Sequence, residues 1–199
     1  PSVIIPQPDS PGIYYVFTID AGISNKGLSY SVVDMNLDSG KGDIINKNVP
    51  LVSPTTHQVT AVKHCNNKDI WVITHKLNTN EYYAFLVTSS GVNSIPLISS
   101  LGIIPTNYNW DGFLKTSPDG QKIARAVNSL GFELCNFNTS TGQVSNSITL
   151  DTANFFNNYY GVEFSPDATI LYATNGQIQQ YDLTSNDSLT IVNSKTIIP

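Results

Sequence analysis

The residues best suited to chemistry lie in polar, loop-like stretches. Tyr108 and Trp110 stand beside Asp111, and Phe155, Phe156, Tyr159 and Tyr160 stand among asparagines. Aromatic faces flanked by amides and a carboxylate suit a sugar ring or an extended peptide; the same rings could equally fill gaps between packed elements, because aromatics dominate cores. His75 and Asn80, which bound a further polar stretch, complete the candidate ligand-binding set.

Other constellations are thinner. Asp34, Asn36 and Asp38 alternate like the opening of a calcium loop, yet Ile45 stands where the late bidentate acid belongs, and the segment also reads as a strand end and turn. His57, His64 and His75 show no zinc-ligand spacing. Arg125, the only arginine, lies in an apolar run; it could be buried against Glu133, Glu163 or Asp111, or could anchor an anionic ligand. There is no nucleophile elbow, no phosphate-cradling glycine loop and no triad in recognisable context, so no catalytic residue and no cofactor is assigned.

The elements that must position these residues are short strands. Leu114 and Thr116, then Ile123, Arg125 and Val127, recur at period two on either side of Ser117-Pro-Asp-Gly120. Proline presets φ there, aspartate caps its own turn and glycine tolerates positive φ, so the segment is a hairpin. The hairpin returns around Asp9, Asn67 and Asp167, at intervals of 58, 52 and 48 residues from Asp9 through Asp119. Two further strand-like runs follow each hairpin, the last of them at Leu189 to Val192. Four strands repeated about every 50 residues are the signature of a propeller blade. The expected architecture is an all-β β-propeller of four four-stranded antiparallel blades, near 1–54, 55–105, 106–153 and 154–199.

Ser117-Pro-Asp-Gly and Tyr160-Gly-Val-Glu-Phe-Ser-Pro-Asp167 resemble WD-repeat and YVTN-type propellers, and Leu171-Tyr-Ala-Thr-Asn175 is similar to the YVTN motif itself. Tyr14-Tyr-Val-Phe-Thr18, Tyr30-Ser-Val-Val-Asp-Met35, Asn48-Val-Pro-Leu51 and Leu86-Val-Thr88 resemble propeller regions of large surface proteins in bacteria with type nine secretion. The second repeat lacks Pro-Asp-Gly and Ala168 replaces glycine in the fourth, which are departures from the pattern. The resemblance implies an extracellular or cell-surface module that binds protein or glycan or spaces other domains. The YVTN likeness implies the alternative, a lactonase-type hydrolase acting at the channel mouth, where the aromatic and amide loops would converge.

Composition narrows the partners. The chain has 199 residues, ten Lys and Arg against fifteen Asp and Glu, and a net charge of −5, which argues against nucleic acid. Its apolar runs fall far short of the ~20 residues of a spanning helix, so no membrane insertion is expected. Cys65 and Cys135 sit in strand-like runs and read as buried free thiols. Lys63, Lys115 and Glu163 share one inner-strand position, so Lys115 and Glu163 are expected to pair between blades. The chain opens on proline without a charged-then-apolar leader and ends just after an outer strand, which reads as a processed form or an excised piece. Four blades of a larger ring and a complete four-bladed propeller both fit, and unclosed end blades would offer a route to self-association.

Overall fold

The computed structural model describes residues 1–20, 26–152 and 158–199. The chain forms four antiparallel sheets in sequence order. Blade 1 holds β1 (Ser2–Pro6), β2 (Ile13–Ile19), β3 (Leu28–Asp34) and β4 (Asp43–Val52). Blade 2 holds β5 (Thr55–Lys63), β6 (Ile70–Lys76) and β7 (Glu81–Thr88), with its outer position shared by β8 (Gly91–Val92) and β9 (Leu97–Ser100), both paired to β7. Blade 3 holds β10 (Leu114–Thr116), β11 (Lys122–Val127), β12 (Gly131–Asn138) and β13 (Gln143–Thr152). Blade 4 holds β14 (Val162–Phe164), β15 (Ile170–Thr174), β16 (Ile178–Asp182), the short helix α1 (Ser188–Asn193) and β17 (Thr196–Ile198). This is an all-β arrangement consistent with part of a propeller.

The expected turn chemistry holds the hairpins closed. The Ser117 hydroxyl donates to Asp119 at 2.5 Å, Asp119 accepts the Gln121 N–H at 3.0 Å, and Ser117 accepts the Lys122 N–H at 2.9 Å. Ser165 and Asp167 repeat the geometry in blade 4, at 2.6 Å between their side chains. There the Ser165 hydroxyl, with the backbone and hydroxyl of Thr169, holds the Asp167 carboxyl down at about 2. Ala168 takes φ +60° in that turn, where blade 3 has Gly120 at +72°. A side chain in the left-handed region costs roughly 1–2 kcal/mol, so the blade 4 turn is the more strained of the two.

Period two decides which interface each residue enters. From β12, Phe132 and Leu134 pack with Tyr159, Phe164, Leu171 and Tyr181 between blades 3 and 4. Its alternate residues Cys135 and Phe137 pack with Trp71, Ile73, Tyr82 and Ile123 between blades 2 and 3. Phe17, Leu28, Val72 and Phe85 fill the contact of blades 1 and 2. Each such side chain withdrawn from water contributes about 1.5–3 kcal/mol. Inner strands follow one another, β1 on β5, β5 on β10 and β10 on β14, so the blades form an arc. Ile4, 64% exposed, stands on the uncovered side of blade 1.

Two expectations need correction. Leu189 to Val192 is not a strand but part of α1, because Asp187 caps it by accepting the Thr190 N–H at 2.8 Å; the outer strand is β17. Cys65 is exposed, since β5 ends at Lys63 and delivers it to a turn, whereas Cys135 is buried and burial pushes its thiol up to about 12. Arg125 takes the first of the placements open to it and is fully buried against Glu133. The expected Lys115–Glu163 pair forms, at 2.8 Å between inner strands. Among the described residues no helix is long and apolar enough to cross a membrane.

Candidate functional site

The loops that lead from an outer strand to the next inner strand lie at the same end of the arc as those joining second and third strands. The longest is the strap between β9 and β10, residues 101–113. Its far end closes on blade 2. The His57 N–H donates to the Trp110 carbonyl at 3.0 Å, and the two rings meet edge to face with centroids 4.3 Å apart. His57 Nε2 lies 2.5 Å from the Asp20 carbonyl oxygen, and Nδ1 faces Asp111 Oδ1 at 3.4 Å. The Asn128 N–H donates to the Asp111 carbonyl at 3.0 Å. An imidazole, a carboxylate and an indole thus converge at the mouth, with side chains 14% exposed at His57 and 35% at Asp111.

This arrangement has a defined polarity. With its Nε2 N–H given to a carbonyl, His57 donates from Nδ1 as well only as an imidazolium, and in that state it holds one Asp111 oxygen and leaves the remaining lone pairs of the carboxylate for a water or a substrate hydroxyl. Beside it, Phe113 and Tyr160 meet edge to face at 5.4 Å, joined by the Phe113 N–H donating to the Tyr160 carbonyl. A mostly apolar cavity of about 280 Å³ opens next to that pair, lined by Phe113, Lys115, Glu163, Tyr172 and Thr174. It is just below the usual range of small-molecule sites.

The candidates read from sequence divide sharply. Trp110 and Asp111 come together, with His57 as the partner that sequence reasoning missed; it precedes Asp111 by 54 residues and no spacing rule joins them. Tyr108 stands on the same strap, 94% exposed, and Tyr160 is half-exposed. Tyr159 does not face the mouth: it is fully buried against Phe132, and its hydroxyl donates to Asp151 at 2.5 Å and lies 2.8 Å from the Gln179 side-chain amide. His75 is likewise buried, edge-on to Tyr82 at 4.7 Å, because β6 turns it into the interface of blades 2 and 3. Asn80 belongs to the β6–β7 connection, where its carbonyl accepts the Leu101 N–H at 2.8 Å. Phe155 and Phe156 lie outside the described residues, as do 21–25 of the loop Asp20 to Gly27.

The weak calcium segment is a turn. Asp34 Oδ1 accepts both the backbone and the side-chain N–H of Asn36, each at 2.9 Å, which closes the segment on itself. Among the described residues no group of three or more His, Cys, Asp or Glu side chains is placed to hold a metal.

No protein-family profile matches the sequence, and no curated protein matches it. Solved structures do. A candidate 6-phosphogluconolactonase from Bacteroides fragilis is 13% identical with a TM-score of 0.58, covering 96% of this chain and 56% of that one. The periplasmic gluconolactonase of Pseudomonas aeruginosa is 12% identical with a TM-score of 0.56, over 98% of this chain and 51% of that one. The Hsv2 protein of Kluyveromyces lactis is 10% identical with a TM-score of 0.54, over 91% and 48%. At such identities the likeness shows the fold alone, a β-propeller, and the chain spans about half the length of these structures. The extracellular or cell-surface placement is corrected by the same comparison. Its neighbours are lactonase-like propellers, one named as periplasmic, rather than the surface proteins that the sequence resembled.

Proposed function

We propose that the chain forms part of a lactonase-like propeller hydrolase, with Asp111 as general base at the mouth of the channel. The observation that carries this is the His57–Asp111 pair beside Trp110. In the reaction, Asp111 takes a proton from water as its oxygen adds to the lactone carbonyl. The acyl C–O bond of the ring then breaks, and the ring oxygen leaves as a hydroxyl after receiving a proton, giving a hydroxy acid. His57 positions the carboxylate, and Trp110 supplies a flat face for the sugar ring. The lactonase-like neighbours support this reading through the fold alone.

A second reading, binding of a glycan or peptide without turnover, is favoured by Tyr108, whose ring is almost wholly in solvent at the strap's tip. Hydrolysis of glucono-δ-lactone, followed by pH indicator, separates the two. Asp111→Asn is expected to lower kcat/KM by about 10²-fold or more, the ordinary contribution of a general base. Lactone bound but not consumed by the unaltered protein would replace hydrolysis with binding, and neither binding nor turnover would remove both.

A further inference from the structure

We propose that Arg125 and Glu133, buried a blade interface away from the mouth, are positioning residues that hold the 101–113 strap and so set where Asp111 sits. The inference rests on the reading of the mouth as a reactive site, but the geometry stands by itself. Both side chains are fully buried. Arg125 Nε and Nη2 lie 2.8 and 2.7 Å from Glu133 Oε1. The pair then grips one residue of the strap from both sides: Arg125 Nη2 donates to the Ile103 carbonyl at 2.5 Å, and the Ile103 N–H donates to Glu133 Oε2 at 2.8 Å. Tyr82 and Ser147 hydroxyls supply two more donors to Glu133, at 2.7 and 2.9 Å. Gly102, at φ +85°, lies so close to the Glu133 carboxylate that any side chain there would collide with it.

A buried ion pair is weak evidence for stability, because an apolar pair of similar volume often does as well or better. What it supplies that apolar residues cannot is a fixed address for a peptide group, through charge-assisted bonds of defined direction. Ile103 is the strap's near anchor. The Asn78 N–H donating to the Pro105 carbonyl at 3.0 Å is the middle one, and the contacts of Trp110 and Asp111 with His57 and Asn128 are the far one. Releasing the near anchor shortens the fixed length of strap and lets Asp111 wander from His57. In catalysis, a misplacement of about 1 Å can cost about 10²-fold.

The test is amide hydrogen exchange across the whole chain in Glu133→Gln, which keeps volume and removes charge. Exchange in 101–113 is expected to quicken about tenfold or more, the loss of a hydrogen bond to a charged group, while β15 and β16 keep their wild-type rates. Tyr82→Phe removes a donor to Glu133 without touching Ile103, and should leave strap exchange within about twofold. On lactone, Glu133→Gln should lower kcat about tenfold or more with KM little changed, as for an interaction that matters only in the transition state. Unchanged strap exchange in the folded variant would overturn the proposal. So would an equal rise in every blade, which marks general loosening. If the unaltered protein consumes no lactone, the hydrolase reading fails and exchange alone still decides the clamp.

Discussion

The two faces of blade 3 are built from the same strands and do different work. Along β11, Ala124 and Ala126 face blade 4 while Ile123 and Arg125 face blade 2; along β12, Phe132 and Leu134 face blade 4 while Glu133 and Cys135 face blade 2. Toward blade 4 the buried packing is mostly apolar and aromatic, with the Tyr159 hydroxyl set against Gln179 and Asp151. Burial alone would raise the Asp151 carboxyl, but donors from Lys195 and Tyr159 bring it below its ordinary value. Toward blade 2 the same alternation places an ion pair with no exposure to water. The difference teaches that the blade 3–4 contact is a stability element, and that the blade 2–3 contact spends part of its core on orienting the strap above it.

The contrast is broken most forcefully at Glu133. Glu133→Ala leaves a guanidinium buried without its carboxylate and should cost about 3–5 kcal/mol in urea unfolding. The double change Arg125→Met with Glu133→Leu should recover most of that, since a well-packed apolar pair replaces a buried ion pair at little cost. Strap protection, however, should stay lost in the double variant. A double variant as unstable as the single would mean that the pair is needed for stability after all. On the opposite face, Leu134→Ala should cost about 3 kcal/mol through lost transfer energy and a residual cavity. There the strap should keep its slow exchange, and quickened exchange in 101–113 would erase the distinction between the two contacts.

How much of this was legible in the sequence follows from the range of each signal. Strand pairing and the Pro-Asp turns are local, so the hairpins at Asp119 and Asp167 could be read directly. Leu189 to Val192 could not, because a four-residue apolar run has no period long enough to separate strand from helix; the clue is Asp187, a residue type that caps helix N-termini. Glu133 stood among the partners open to Arg125 because adjacent strands joined by a short turn bring residues eight apart together. The site was half legible. Trp110 and Asp111 announced themselves by type, whereas His57 comes to them only through the packing of blade 2 on the strap. Tyr159 and Tyr160 are neighbours in a loop, and nothing local says that one ring is core and the other rim.

His75 gives the finest test of the blade 2–3 contact, since it lies beside the ion pair yet carries no charge. Its Nδ1 donates to the Lys76 carbonyl at 2.9 Å, and Nε2 has no hydrogen-bond partner among the described residues, so a second proton would sit at a buried atom with none of them to receive it. Burial, and then the Arg125 charge, push its pKa down from 6.5 to about 2. The unfolded chain takes up a proton near pH 6.5 and the folded one does not. The contribution of His75 is therefore complete above pH 6.5 and declines as pH falls from there toward about 2. At pH 5 the loss is about 2 kcal/mol, from roughly 1.4 kcal/mol per pH unit below the unfolded pKa. Urea midpoints at pH 7.5 and pH 5 should differ for the wild type, and His75→Gln should remove about that much of the difference. Equal pH dependence in both proteins would mean that the blade 2–3 contact admits a proton, and with it enough water to solvate the Arg125–Glu133 pair. The strap would then be held no more firmly than by surface charges.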